Sequence, residues 1–210
     1  MEPVYLDNAA TTQVAAAVAE VVLACLRQDF GNPSSAHRLG VAATEHVHAA
    51  RRVLLSALGD PLGRAGELVF TSGGTEADAL GVLGTARAHA RRGKKIAIVA
   101  TEHPAVLGAG TQLAGEGFSI THVPVDNHGH VAPEAVANAC GPDTILFCCM
   151  LVNNELGTIN DGATLAAHAR RRSPHLHVHC DAVQALGKLA VDAAALGVDT
   201  LAVSSHKLYG

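Results

Sequence analysis

The sequence predicts an α/β fold: a mostly parallel sheet with helices on both faces. Two observations carry this. Apolar runs of strand length alternate with longer Ala-rich stretches of helical length, the pattern of repeated βαβ units. The apolar runs are also hydrophobic nearly without interruption, as strands covered on both faces must be. With 210 residues, 49% of them hydrophobic, the chain has material for one large domain and a sizeable core.

Taken in order, the Ala- and Val-rich stretch 15–27 reads as a helix, and 41–58 as a second. The apolar run 67–71 (Glu-Leu-Val-Phe-Thr) reads as a strand and 76–92 as the helix after it. Residues 95–100 (Lys-Ile-Ala-Ile-Val-Ala) form the next strand, and Pro104–Gly115 the next helix. The alternation continues with strand 119–125, helix 133–140, strand 144–152, helix Gly162–Arg172, strand 176–181, the short helix Ala193–Leu196 and strand 200–204. No internal repeat, low-complexity tract or clear linker interrupts it. Residues 1–14 read as an N-terminal segment and 15–210 as the large domain.

Composition excludes several classes of function. The formal net charge is −4 and only 16% of residues are charged, so neither nucleic acid nor an anionic membrane is an expected partner. The basic clusters Arg91-Arg92 with Lys94-Lys95, and Arg170 to Arg172, follow helix-like stretches and suit the negative ends of helix dipoles. Five cysteines without regular spacing argue against a disulfide framework, and Cys148 and Cys149 sit inside an apolar run. No signal peptide or membrane span is visible, which makes the cytoplasm the expected compartment.

In such a sheet, ligands bind beyond the carboxyl ends of the strands. Five polar groups fall there. Ser72-Gly73-Gly74-Thr75 follows one strand and opens a helix, where free N–H groups and the dipole favour a phosphate. An ordinary strand-to-helix turn would read the same way. His103 follows the second strand and is suited to stacking on a flat ring and to proton exchange near neutral pH. Asn154 follows another strand, as a hydrogen-bond donor or a turn residue. Asp181 ends a fourth, as a carboxylate for a ring nitrogen or a helix cap, with the amide of Gln184 three residues on. Ser204, His206 and Lys207 follow the last.

Lys207 is the candidate covalent anchor for a phosphorylated aldehyde cofactor, held as a Schiff base. Free lysine titrates at about 10.4, so it needs burial or a neighbouring positive charge to act as a nucleophile near pH 7. A competing set, His175, His177 and His179, shares one face of a strand. Alternate side chains there stand roughly 6–7 Å apart, awkward for a single ion, so no metal is expected.

As a set these residues resemble the class V aminotransferase superfamily, and within it the cysteine desulfurases and selenocysteine lyase. The resemblance runs from Val4-Tyr5-Leu6-Asp7-Asn8-Ala9-Ala10-Thr11-Thr12 through Gly31-Asn32-Pro33-Ser34-Ser35, Phe70-Thr71-Ser72-Gly73-Gly74-Thr75-Glu76, Thr101-Glu102-His103, Val152-Asn153-Asn154-Glu155-Leu156-Gly157 and Asp181-Ala182-Val183-Gln184 to Ser204-Ser205-His206-Lys207. It implies the large domain of a fold-type-I enzyme using pyridoxal 5'-phosphate (PLP). Lys207 would carry the cofactor, Asp181 would pair with its pyridinium, and Gln184 and Asn154 would contact the ring oxygen. His103 would stack and exchange protons, and Gly74, Thr75, Ser204 and His206 would hold the phosphate. The implied reaction converts L-cysteine to L-alanine and leaves the sulfur as an enzyme persulfide for iron–sulfur cluster or thio-cofactor assembly. A homodimer and a sulfur-acceptor or scaffold protein are the implied partners.

In the family, the substrate-binding arginine, the mobile catalytic cysteine and the small C-terminal domain lie beyond the position matching Gly210. The expectation is therefore a chain truncated at its C-terminus, inactive alone. Selenocysteine lyase is the alternative within PLP chemistry, and a catalytically dead short isoform acting as a binding partner is the alternative of another class.

Overall fold

The computed structural model describes residues 4–64 and 66–210, which form two compact units: residues up to Val69 with Ser205–Gly210, and Phe70–Ser204. The N-terminal segment falls in the first unit together with the first two helices.

The first unit contains α1 (Ala16–Arg27) and α2 (Arg38–Ala57). Within the described residues α1 buries none of its side chains and exposes Val21, Val22, Leu23 and Leu26. The loop before α2 is clasped onto its first turn. Thr44 Oγ1 donates to the Pro33 carbonyl at 2.6 Å, the Asn32 side chain accepts from the Ser34 amide at 2.8 Å, and His37 caps the helix. A Cβ on Gly40 would stand 2.2 Å from the Ser35 carbonyl oxygen, so only glycine admits this approach. The helix therefore begins at Arg38, earlier than the apolar periodicity of 41–58 suggests.

The second unit holds the sheet. One continuous helical stretch comprises α3 (Gly74–Ala79), a π-helical turn (Leu80–Gly84) and α4 (Thr85–His89). There follow β1 (Lys95–Val99), α5 (Pro104–Gly115), β2 (Ser119–Val123), α6 (Pro133–Ala139), β3 (Thr144–Met150), α7 (Gly162–Arg172), β4 (His177–Asp181), α8 (Ala193–Leu196) and β5 (Thr200–Ala202). The strands run parallel in the order β2-β1-β3-β4-β5.

Alternate residues of each strand feed two separate cores. Ile96, Ile98, Leu146 and Cys148 pack with Val82, Ala86, Val106 and Leu113 on one face. Ala97, Val99, Phe147, Cys149 and Val178 pack with Val136, Leu165 and Ala169 on the other. Strand β4 is the exception to apolar filling: by register His179 opposes Cys148, and so shares the face of the α3–α4 helical stretch. Cys140, Cys148, Cys149 and Cys180 are buried and free, as expected of packing thiols.

The strand expected over 67–71 is absent. Its residues pair with no other strand among those described, and Val69 and Phe70 are half-exposed or more, so hydrophobic content alone has not made a strand without a ladder neighbour. Among the described residues no helix is long and apolar enough to cross a membrane.

Candidate active site

Sheet order, not sequence order, assembles the carboxyl edge of the second unit. The segments after β1, β3, β4 and β5 stand side by side and carry, in that spatial order, Thr101 to His103, Asn153 and Asn154, Asp181 to Gln184, and Ser204.

The helix N-terminus at Gly74 reaches the same edge. Its backbone runs so close to the last two of these segments that a Cβ on Gly74 would lie 3.3 Å from Val183 Cγ2 and 3.5 Å from Ser204 Cβ. The cap residue Gly73 offers no side-chain acceptor, and a Cβ there would meet nothing within 4 Å. The first amides of a helix have no intrahelical acceptor, so Gly74 and Thr75 present N–H groups at a site open to an anion. Glu76 does not compete for them. Its carboxylate accepts from the Ser72 amide at 2.6 Å, and the Ser72 side chain first, then that amide, hold it below the usual carboxylate range.

Asp181 is buried at the end of β4, and its Oδ1 accepts from the Val183 amide at 2.9 Å. No helix starts there, so the carboxylate folds a turn instead of capping a helix, and its second oxygen is compatible with the ligand reading. Gln184, also buried, accepts from Lys188 Nζ at 2.7 Å. His103 caps α5: its Nδ1 accepts from the Ala105 amide at 3.1 Å, so a neutral ring carries its proton on Nε2. Asn154 is half-buried and donates to Glu155 at 3.0 Å.

Lys207 and His206 belong to the first unit, in the short 3-10 turn Ser205–Lys207, three residues and fewer past Ser204. Half-buried Lys207 donates from Nζ to the carbonyls of Ala9 and Ala10 at 2.5 and 2.6 Å. His206 Nδ1 lies 3.1 Å from Thr11 Oγ1; desolvation, then the Lys207 charge, hold its imidazole below the usual value. The Thr12 amide donates to the His206 carbonyl at 2.9 Å and the Thr12 hydroxyl accepts from the Tyr209 amide at 2.8 Å. The N-terminal motif is thereby wound into the lysine turn.

Four residues at this edge and behind it have site roles that sequence reasoning did not assign. Asn153, beside the chosen Asn154, is the one that builds the loop. Its Nδ2 donates to the Thr101 carbonyl at 2.9 Å and its Oδ1 accepts from the amides of Glu155 and Leu156. Asp78 and His179, each 1% exposed, meet at 3.2 Å between α3 and β4, and Thr200 Oγ1 lies 2.9 Å from the other ring nitrogen. Of the three period-two histidines, His175 is exposed in the turn before β4. His179 is a buried tie between helix and sheet, and His177 also reaches Thr200 Oγ1, at 3.2 Å. Glu102 is 4% exposed, and its Oε1 accepts from the Met150 amide at 2.5 Å. A charged residue directly after an apolar strand was the available signal for it.

The family profile described as Aminotransferase class-V matches residues 4–210. A cysteine desulfurase IscS of Methanosarcina thermophila is 40% identical over 99% of the chain, which covers 50% of that protein. Among solved structures, a NifS-like protein superposes with a TM-score of 0.93 at 36% identity, over 100% of this chain and 56% of its own. A structure described as SspA in complex with cysteine superposes at 0.85 with 30% identity, over 98% and 58%. The chain spans about half the length of the curated relatives it matches. By the match across nearly its whole length, the chain belongs to the class-V aminotransferase family of PLP-dependent enzymes.

Proposed function

We propose that these residues are the cofactor-binding part of a PLP-dependent cysteine desulfurase, which takes L-cysteine to L-alanine and passes the sulfur to an enzyme thiol. The observation that carries this is the donor set at the carboxyl edge: helix-end amides at Gly74 and Thr75, buried Asp181 and Gln184, and His103 with its ring fixed by a backbone bond. Such a set suits a phosphorylated, flat, basic ring. When bound, PLP supplies an electron sink for bond cleavage at the substrate's α-carbon.

The chain's own residues then have distinct tasks. Gly74, Thr75, Ser204 and His206 hold the phosphate. Asp181 keeps a negative charge at the ring nitrogen. Asn154 and Gln184 orient the ring oxygen. Lys207 is the covalent anchor, and His103 Nε2 holds or releases a proton above the ring. Cysteine as substrate is supported by the names of the relatives and by the neighbour solved with cysteine. None of the five cysteines present is placed to carry a persulfide: four are buried, and Cys25 is half-buried within α1. The accepting thiol is accordingly proposed to lie outside these 210 residues, so this chain alone should turn over little or no cysteine. The same reading includes a homodimer, a sulfur acceptor and a cytoplasmic setting.

The test is to mix the 210-residue chain with PLP, reduce with borohydride and map the modified peptide. The visible absorbance of bound cofactor and a reduced adduct on Lys207, both lost in Lys207→Ala, are expected. An adduct spread over surface lysines, unchanged in Lys207→Ala, would sink the assignment.

A further inference from the structure

Glu102 is a buried carboxyl group with too few donors. Its Oε1 accepts one hydrogen bond, from the Met150 amide, while its Oε2 is buried without a protein partner among the described residues. The neighbouring Thr101 hydroxyl is buried and unpartnered as well. Both residues lie beside a cavity of about 280 Å³ between the loops after β1 and β3, lined also by Pro104, Asn153, Asn154, Glu155 and Leu156, but the two unpartnered oxygens are themselves buried.

A buried ionised carboxylate requires a counter-charge or several donors. Glu102 has neither. The titratable groups acting on it, or on which it acts, are Asp78 from α3, Cys148 and Cys149 from β3, and Cys180 and Asp181 from β4. Every one is an acid. Asp78 has the His179 ring, and Asp181 accepts from the Val183 amide, leaving Glu102 the poorest home for negative charge. We propose that Glu102 carries a proton on Oε2 and is a neutral acid, buried behind the loop that carries Asn154. Burial first, then Cys149, Asp181 and Asp78, push this carboxyl well above the usual carboxylate range, in keeping with that assignment. The protonated carboxyl does not itself require the proposed function. Its consequence rests on that reading: with the proton on Glu102, the negative charge offered to the cofactor nitrogen is that of Asp181.

The experiment is infrared spectroscopy of the whole 210-residue chain at pH 7, unlabelled, with carboxyl-¹³C glutamate and with carboxyl-¹³C aspartate, each with and without added PLP. A carbonyl band of one protonated carboxylic acid is expected, shifting only with the glutamate label and lost in Glu102→Gln. No such band, or one that follows the aspartate label, overturns the assignment. The labelled wild-type chain decides the point even if Glu102→Gln does not fold. PLP binding is read by visible absorbance on the same samples, so its failure would count against the proposed function and leave the acid band to be judged separately.

Discussion

Gly81 lies directly against the His179 imidazole: a Cβ at position 81 would stand 2.5 Å from both Nδ1 and Cε1 of the ring. The ring cannot retreat, because Asp78 holds one nitrogen and Thr200 the other. Gly81 sits in the π-helical turn Leu80–Gly84, so the irregular turn lies where the helix meets a histidine standing up from the sheet.

Gly81→Ala should therefore destabilise the chain. Alanine in place of glycine gains about 1 kcal/mol of helix propensity at most. Overpacking a rigid buried contact costs about 1–3 kcal/mol, and here the obstacle is a pinned ring rather than a flexible side chain. A net loss of about 1 kcal/mol or more in urea unfolding is expected. An unchanged or raised midpoint would mean that ring and helix separate freely.

The Asp78–His179 contact makes a graded prediction. Asp78→Leu leaves a ring nitrogen buried without its partner, which costs about 1–3 kcal/mol. Asp78→Asn keeps an acceptor of the same shape and should cost less than about 1 kcal/mol. Equal unfolding midpoints for the two variants would show that the hydrogen bond contributes nothing.

Asn153→Ala should loosen one loop rather than the whole fold. Its side chain makes three bonds to main-chain groups, at Thr101, Glu155 and Leu156. At about 1 kcal/mol each, the loss is roughly 2–3 kcal/mol. Hydrogen exchange should quicken at the Glu155 and Leu156 amides while β1 and β3 stay protected. Uniform quickening across the sheet would refute a local role.

Stability should fall on the alkaline side. Burial chiefly pushes the Cys140 thiol up to about 11 and raises Cys148 well above the usual thiol value, and Cys180 is raised well above it by its hydrogen bond to Cys149 and then by burial. Groups raised in the fold bind protons that the unfolded chain has already lost. Their contribution is complete below the unfolded thiol value of about 8.5 and disappears as pH rises through the folded value. Glu102 acts in the same direction, starting above the ordinary glutamate range. Urea midpoints measured from pH 8 to pH 11 should decline, less steeply in Cys140→Ala. A flat profile, or one as steep in the variant, would contradict this.

What could be read in advance follows from how local the cause is. Pro104–Gly115 and Gly162–Arg172 match their predicted bounds because composition and flanking breakers decide them. Asp181, His103 and Gly74 were legible because a polar group at the end of an apolar run lies at the sheet's carboxyl edge whatever the packing. Asp78, His179 and Glu102 were not, because each is explained by a partner 48 or more positions away. The failure at 67–71 has the same origin: strand formation depends on a neighbour, and no feature of Glu-Leu-Val-Phe-Thr states whether one is present. The π-helical turn leaves no trace in periodicity either, since Gly81 answers to a ring on another element.

Asp181→Asn separates the two roles that Asp181 combines. Asparagine keeps an oxygen where Oδ1 accepts from the Val183 amide at 2.9 Å, so the turn after β4 should survive and the unfolding midpoint should change by less than about 1 kcal/mol. What it removes is the charge. A hydrogen bond to a charged group is worth about 1.5–3 kcal/mol, so PLP affinity, titrated by absorbance, should fall roughly 10- to 150-fold. Lys207→Ala is the necessary contrast: it should abolish the reducible adduct while leaving Asp181 and the helix-end amides able to hold the cofactor without a covalent bond. If Asp181→Asn binds PLP as tightly as wild type, then Asp181 is a turn former alone and the ring nitrogen has its partner elsewhere.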